Sequence, residues 1–303
     1  MNSNNNNPIL VIGGTGTQGG SVARELLSQG KKVRILSRNP TSEPAKNIAK
    51  LGVELVQGDM TLPDTLKTAL KDVTAVFSVQ YADPADPSVE MNNARNLVNA
   101  AQEAGVSQVV HTSAAGTNFF PKWDRFADIS WYLDHKYAVE ELFRNGGFKY
   151  WTVLHPCWFM ENFTPPLSGI MSPQLKAGKL YGTVTPNALI KMNSGDDTAR
   201  LAALAFGNPE KYNGRELNIA SDELSWSEVA ATLSEVTGKK VTYQQVSREK
   251  AVELGMLEGT LKAMEWIGET GYGFDILETA QYGVPLKTFK QWTDENQHRI
   301  FVE

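Results

Sequence analysis

The stretch ILVIGGTGTQGGSVARELL, residues 9–27, decides the fold. A short β-branched run leads into GGTGTQGG at 13–20, and an amphipathic stretch follows, so the order is strand, glycine loop, helix. Gly13, Gly16 and Gly19 have GxxGxxG spacing, while Gly14, Gly16 and Gly19 satisfy GxGxxG within the same eight residues. Glycine serves three ends at such a place: a sharp turn, close approach of backbone N–H groups to a pyrophosphate, and tight packing of helix on sheet. The helix N-terminus behind the loop then offers free N–H groups and a partial positive charge to the anion. The lysine of a GxxxxGK[ST] phosphate loop is absent, which disfavours a nucleoside triphosphate and leaves a dinucleotide as the expected ligand.

The same rhythm continues outward from this unit. After it come KVRILSR, VELVQGD, AVFSVQ, QVVHTSA and YWTVLHP, each separated from the next by an amphipathic segment. Six strand candidates alternating with helices predict a parallel sheet covered on both faces, because right-handed crossovers place a helix between successive parallel strands. The expected fold is therefore a doubly wound α/β Rossmann sheet, occupying residues 8–156 behind a disordered Asn-rich tail at 1–7. Beyond Pro156 the rhythm breaks into the irregular MENFTPPLSGIMSPQLKAGKLYGTV. Residues 157–303 are read as a smaller, interleaved α/β lobe, in which DDTARLAALAFG is helical and ELNIAS returns a strand to the main sheet. The segment SWSEVAATLSEVTG opens with a Ser cap and a Glu three residues on.

The composition bounds the function. With 303 residues and 41% hydrophobic content the chain can bury a large core, and a net charge of -5 provides no basic surplus for a phosphate backbone. Direct nucleic-acid binding is not expected. The single cysteine, Cys157, cannot form an internal disulfide and reads as a small buried residue; no apolar run approaches the length of a membrane span, and MNSNNNNP lacks the features of a secretory signal. A cytoplasmic location is expected. The four His, at 111, 135, 155 and 298, lack metal-site spacing, so no metal is expected.

Cofactor choice is read at the end of the second strand. An NAD-selective site places an acidic residue there for the ribose 2'-hydroxyl, whereas this chain has Leu36, Ser37 and Arg38. A guanidinium holds a 2'-phosphate in bidentate fashion, which favours NADP(H). Asp59, after the third strand, suits either the adenine amino group or a cap on the following turn. Ser78, Val79 and Gln80 end the fourth strand and are placed to pass beside the nicotinamide ribose.

Taken together, VIGGTGTQGGSVARELL, the arginine of SRNP, VELVQGD, NLVNAAQEAGVSQVVHTSAAG and HPCWFMENF resemble the NmrA-like branch of the atypical short-chain dehydrogenase/reductases. The resemblance runs over most of the chain from Pro8 and implies a Rossmann fold with NADP(H). That family divides between reductases of quinones, dyes or carbonyl compounds and non-catalytic NADP(H) sensors that regulate a protein partner such as a transcription factor. Many sensor-like members lack the tyrosine of YxxxK, but this chain keeps Tyr132 and Lys136 in SWYLDHK. The resemblance therefore implies a reductase in which Tyr132 donates a proton, Lys136 holds the ribose and supports the tyrosine, and Ser113 orients the acceptor. A phenol of ordinary pKa near 10 needs such cationic support near neutral pH.

The full set of expected cofactor contacts is Gly13, Thr15, Gly16, Thr17, Gln18 and Gly19, then Ser37, Arg38, Asp59 and Met60, then Ser78, Val79, Gln80, Lys136 and Pro156. Trp158, Phe159, Met160 and Phe163 read either as the lining of an aromatic acceptor pocket or as core. The expected partners are a small-molecule acceptor, for a sensor a regulatory protein, and no membrane, with the chain a monomer or homodimer.

Overall fold

The computed structural model describes residues 7–81, 83, 86, 88–119 and 127–303, with the side chains of 119 and 127–131 excepted. The expected Asn-rich tail, up to residue 6, lies outside the described residues, as does most of the bulky stretch between Asn118 and Ile129. The chain divides into two compact units: residues up to 118 with 132–155 and 198–217, and residues 119–131 with 156–197 and 218–303.

The first unit contains the doubly wound sheet. In chain order its strands and helices are β1 (Ile9–Val11), α1 (Thr17–Ser28), β2 (Val33–Ser37), α2 (Glu43–Ala49), β3 (Glu54–Gln57), α3 (Pro63–Ala69) and β4 (Ala75–Val79). Then follow α4 (Ser88–Glu103), β5 (Gln108–Thr112), α5 (Ala127–Arg144) and β6 (Tyr150–Pro156). All six strand candidates are present, and every pairing among them, from β3 across to β6, is parallel. The sheet order is β3, β2, β1, β4, β5, β6, and then a seventh strand, Arg215–Ile219, supplied by the second half of the chain. The α/β class is thereby confirmed. Strand order reverses between β1 and β4, and in such sheets the crevice beyond the strand ends at this switch point receives the ligand.

The strands read as continuous apolar runs because both faces of the sheet are covered. Leu10, Ile12, Val76 and Val109 point into one cluster with Leu66, Leu70, Leu97, Ala101, Val139 and Phe143 from α3, α4 and α5. Truncating a fully buried member such as Leu10 to alanine removes about 2–5 kcal/mol of stability.

The second unit is made of short pieces. Its strands are β7 (Trp158–Phe159), β8 (Lys179–Gly182), β9 (Leu189–Asn193), and, after the Arg215–Ile219 strand β10, β11 (Asp222–Ser225) and β12 (Thr242–Gln245). They form a three-stranded sheet ordered β11, β9, β7 and a parallel pair of β8 with β12. A helix over Trp226–Thr237 begins with a complete capping box, since the Ser225 side chain and Glu228 satisfy each other's backbone N–H groups.

Trp158, Met160 and Phe163 are buried in this unit, where Trp158 packs edge-on against Trp226 at 5.8 Å and Phe163 meets Phe289 at 5.3 Å. Of the two readings for these residues, the structure places them in core; Phe159 is half-buried. Cys157 is also buried, and burial pushes its thiol pKa well up. Among the described residues no helix is long and apolar enough to cross a membrane, and no group of three or more His, Cys, Asp or Glu could hold a metal ion.

Candidate cofactor site in the first unit

The glycine loop turns directly over the switch point. Gly13 has φ +69°, in the left-handed region, and a Cβ built there would lie 2.6 Å from the Val79 side chain at the end of β4. At Gly19 a Cβ would collide with the Gly13 backbone, so this glycine lets α1 sit tight against the loop. The turn is closed by the Gly16 N–H donating to the Gly13 carbonyl at 2.9 Å. Gly16 caps the 12-residue α1 without any side-chain hydrogen bond, and no acidic residue occupies the first turn. Gly13, Thr15, Gly16 and Thr17 are exposed. The N-terminal N–H groups are thus available to an anion, and side chains are excluded where a pyrophosphate would approach. The Gln18 side chain accepts from the Thr112 hydroxyl at 2.8 Å, tying the loop to the end of β5. The cradle fits a dinucleotide.

Along the sheet edge, Ser37 is buried at the end of β2 and its carbonyl accepts from the Gly58 N–H. Arg38, one residue on, is exposed and makes no ion pair among the described residues. Asp59 is a turn-former: its Oδ1 accepts from both the N–H and the hydroxyl of Thr61, at 2.9 and 2.8 Å. The Met60 carbonyl accepts from Asn96 of α4 at 2.8 Å. Pro156 is the last residue of β6.

At the end of β4 the polar groups turn inward. The Ser78 hydroxyl is fully buried between the Gln80 amide, 3.0 Å away, and His111 Nδ1, 3.2 Å away. His111 stacks on Phe143, and burial drives its pKa down to about 3, so the ring is neutral at ordinary pH. Of these three strand-end residues Ser78 and Gln80 are buried, and Val79 is half-buried.

α5 brings the remaining candidates to the same crevice. Tyr132, Lys136, Glu140 and Arg144 follow at four-residue intervals and share one side of the helix. Lys136 is buried, and its ammonium donates to the Gln80 carbonyl at 3.1 Å and to Glu90 Oε1 of α4 at 2.6 Å. Its Nζ lies 5.6 Å from the centre of the Tyr132 ring. Burial acts most strongly against its charge, yet Tyr132, Glu90 and Glu140 together hold its pKa above the ordinary lysine value. The structure thus joins Tyr132 and Lys136 at the end of β4.

Ser113, just past β5, is buried, and its hydroxyl has no hydrogen-bond partner among the described residues. Burial works against ionisation of the Glu140 carboxyl, but His155, 3.2 Å away, brings its pKa down to about 2. Arg144 pairs with Glu140 from below and also with Glu141 and Glu216.

Glu90 and Glu140 are the residues that sequence reading missed. Glu90 continues backwards the stripe of Ala94, Leu97, Val98 and Ala101, so a carboxylate sits on the buried face of an amphipathic helix. That misplaced charge was the available signal, because a buried carboxylate needs a partner.

A model of the NmrA-like family matches residues 5–296. The NAD(P)H azoreductase of Xenophilus azovorans is 29% identical over 294 residues, covering 94% of this chain and 96% of its own. The NADPH-dependent quinone oxidoreductase of Escherichia coli, solved with NADPH, superposes with a TM-score of 0.74 at 23% identity, covering 95% of this chain and 99% of that one. A negative transcriptional regulator, NmrA, solved with NADP, superposes equally well at 0.74 and 18% identity, over 96% of this chain and 95% of that one.

Proposed function

The chain belongs to the NmrA-like family, and from that premise we propose that it is an NADPH-dependent oxidoreductase acting on a small, quinone-like or carbonyl acceptor. The observation that carries the reading is the meeting of Tyr132 with the buried Lys136 at the end of β4, beside the glycine loop. An azoreductase and a quinone oxidoreductase among the similar proteins support the same class of chemistry.

In this reading the N–H groups of residues 13–19 and the α1 N-terminus bind the pyrophosphate, and Arg38 takes the 2'-phosphate. When bound, NADPH supplies a hydride. Lys136 has three N–H donors, two of them directed at Glu90 and Gln80, and the third is free to hold the nicotinamide ribose. Tyr132 gives its hydroxyl proton to the acceptor oxygen as that oxygen gains electrons. Ser113, buried just past β5 with its hydroxyl unpartnered among the described residues, orients the acceptor by a hydrogen bond.

A second reading has one observation in its favour. The charge of Lys136 is matched by Glu90, which weakens the electrostatic help that Tyr132 needs and suits an NADP(H) sensor acting through a protein partner. NADPH oxidation against quinones, azo dyes and aldehydes separates the two. The enzyme reading expects turnover that Tyr132→Phe lowers by about 10²–10⁴-fold, the range for a positioned proton donor. Cofactor binding without turnover on any of these acceptors leaves the sensor.

A further inference from the structure

The Lys136–Glu90 pair carries more information than its place beside Tyr132. Both side chains are almost wholly enclosed, at 7% and 2% exposure, and Nζ and Oε1 stand 2.6 Å apart. Burying such a pair gives little net stability, since desolvation of both ions offsets their attraction. A fold gains little by keeping it for packing alone. The Gln80 carbonyl, at 3.1 Å, completes the anchoring and fixes the ammonium at the end of β4.

We propose that Glu90 is a positioning residue that balances the charge of Lys136, so that the nicotinamide end of the site receives the oxidised and the reduced cofactor with similar affinity. The inference rests on the cofactor site proposed above. NADP+ and NADPH present the same phosphates to the glycine loop and the same ribose to Lys136, and they differ by one positive charge on the nicotinamide ring. An uncompensated ammonium close to that ring repels the oxidised form alone. A balanced pair does not, because the field of a dipole falls away much faster than that of a single charge.

Without Glu90 the lysine therefore becomes a selector for NADPH. Glu90→Gln keeps the size of the side chain and an amide oxygen for the ammonium while removing the counter-charge. The expected result is a rise of about tenfold in the ratio of the NADP+ to the NADPH dissociation constant, for a bare charge several ångströms from the ring at an intermediate effective dielectric. Lys136→Met leaves the carboxylate alone and moves the ratio the opposite way. The double variant carries neither charge and returns the ratio towards that of the parent.

The test is equilibrium titration of the parent and the three variants with NADP+ and with NADPH, followed by intrinsic tryptophan fluorescence, after circular dichroism has shown that each variant is folded. Opposite shifts in the two single variants with recovery in the double variant establish the assignment. A purely structural role lowers both affinities in parallel and leaves the ratio unchanged, which overturns it. Should Glu90→Gln fail to fold, Lys136→Met alone decides, since an unchanged ratio there also overturns the proposal. If the parent binds neither form, the cofactor site itself is refuted, and this inference falls with it.

Discussion

Glu161 offers a perturbation whose effect can be worked out from the structure. It lies in the turn Met160–Phe163 of the second unit, buried, with Oε1 accepting from the Gly195 N–H at 2.9 Å and Oε2 enclosed without a partner. Burial is the main force on its carboxyl. It raises the pKa from 4.5 to about 7 against the opposing Gly195 N–H, and the nearby Asp196 and Asp197 add to the rise. At about 1.4 kcal/mol per pH unit, this rise corresponds to about 3 kcal/mol. The folded pKa lies above the unfolded one, so the contribution is fully present below about pH 4.5 and is lost as pH rises through about 7.

Glu161→Gln is neutral at every pH and keeps an acceptor for Gly195, although its amide nitrogen occupies an enclosed position and costs a fixed amount of about 1–3 kcal/mol. Urea unfolding of both proteins at pH 5 and pH 8 isolates the titration, because the fixed cost and all other ionisable groups cancel in the difference. The variant is expected to gain about 2–3 kcal/mol relative to the parent between these two pH values. An equal offset at both would refute the reasoning and show that Glu161 is ionised throughout.

Other predictions concern the first unit. Arg38→Ala should abolish a preference for NADP over NAD in titration, and equal affinities in the parent would contradict the reading of the β2 end. Glu140→Gln removes the buried carboxylate between His155 and Arg144, which keeps Glu141 and Glu216, and should destabilise the protein by about 3 kcal/mol at neutral pH, the size of its depressed pKa, measured by urea unfolding. Because the Glu140 pKa is held down to about 2, its stabilisation is present above about pH 4.5 and fades as pH falls towards 2, so the gap between parent and variant should close in acid.

The features legible in the sequence were those encoded by neighbours along the chain. The alternation of apolar runs located all six strands, GGTGTQGG located the switch point, and Ser225 with Glu228 marked a helix start to the residue. Asp59 stayed ambiguous because a carboxylate after a strand suits a turn and an adenine alike, and only the position of Thr61 decides its local role. The site's electrostatics depend on partners far apart in sequence. Lys136 meets Glu90 across 46 residues, and Arg144 meets Glu216 across 72. A periodicity shows that Glu90 and Glu140 face inward, but which cation each will meet is set by how α4 and α5 lie on the sheet. Ser113 illustrates the same point: its place after β5 was readable, but the burial that leaves its hydroxyl without a partner among the described residues was not.

The central claim is that this protein passes hydride from NADPH to an acceptor. A single-turnover measurement addresses it most directly: enzyme saturated with NADPH is mixed with a quinone and the reduced-nicotinamide absorbance is followed, with the cofactor either protiated or deuterated at the transferred position. The expected result is decay of the bound cofactor that is slower for the deuterated form and slower still in Tyr132→Phe. Stoichiometric binding of NADPH with no decay above that of free cofactor, across quinones, azo dyes and aldehydes, would contradict it.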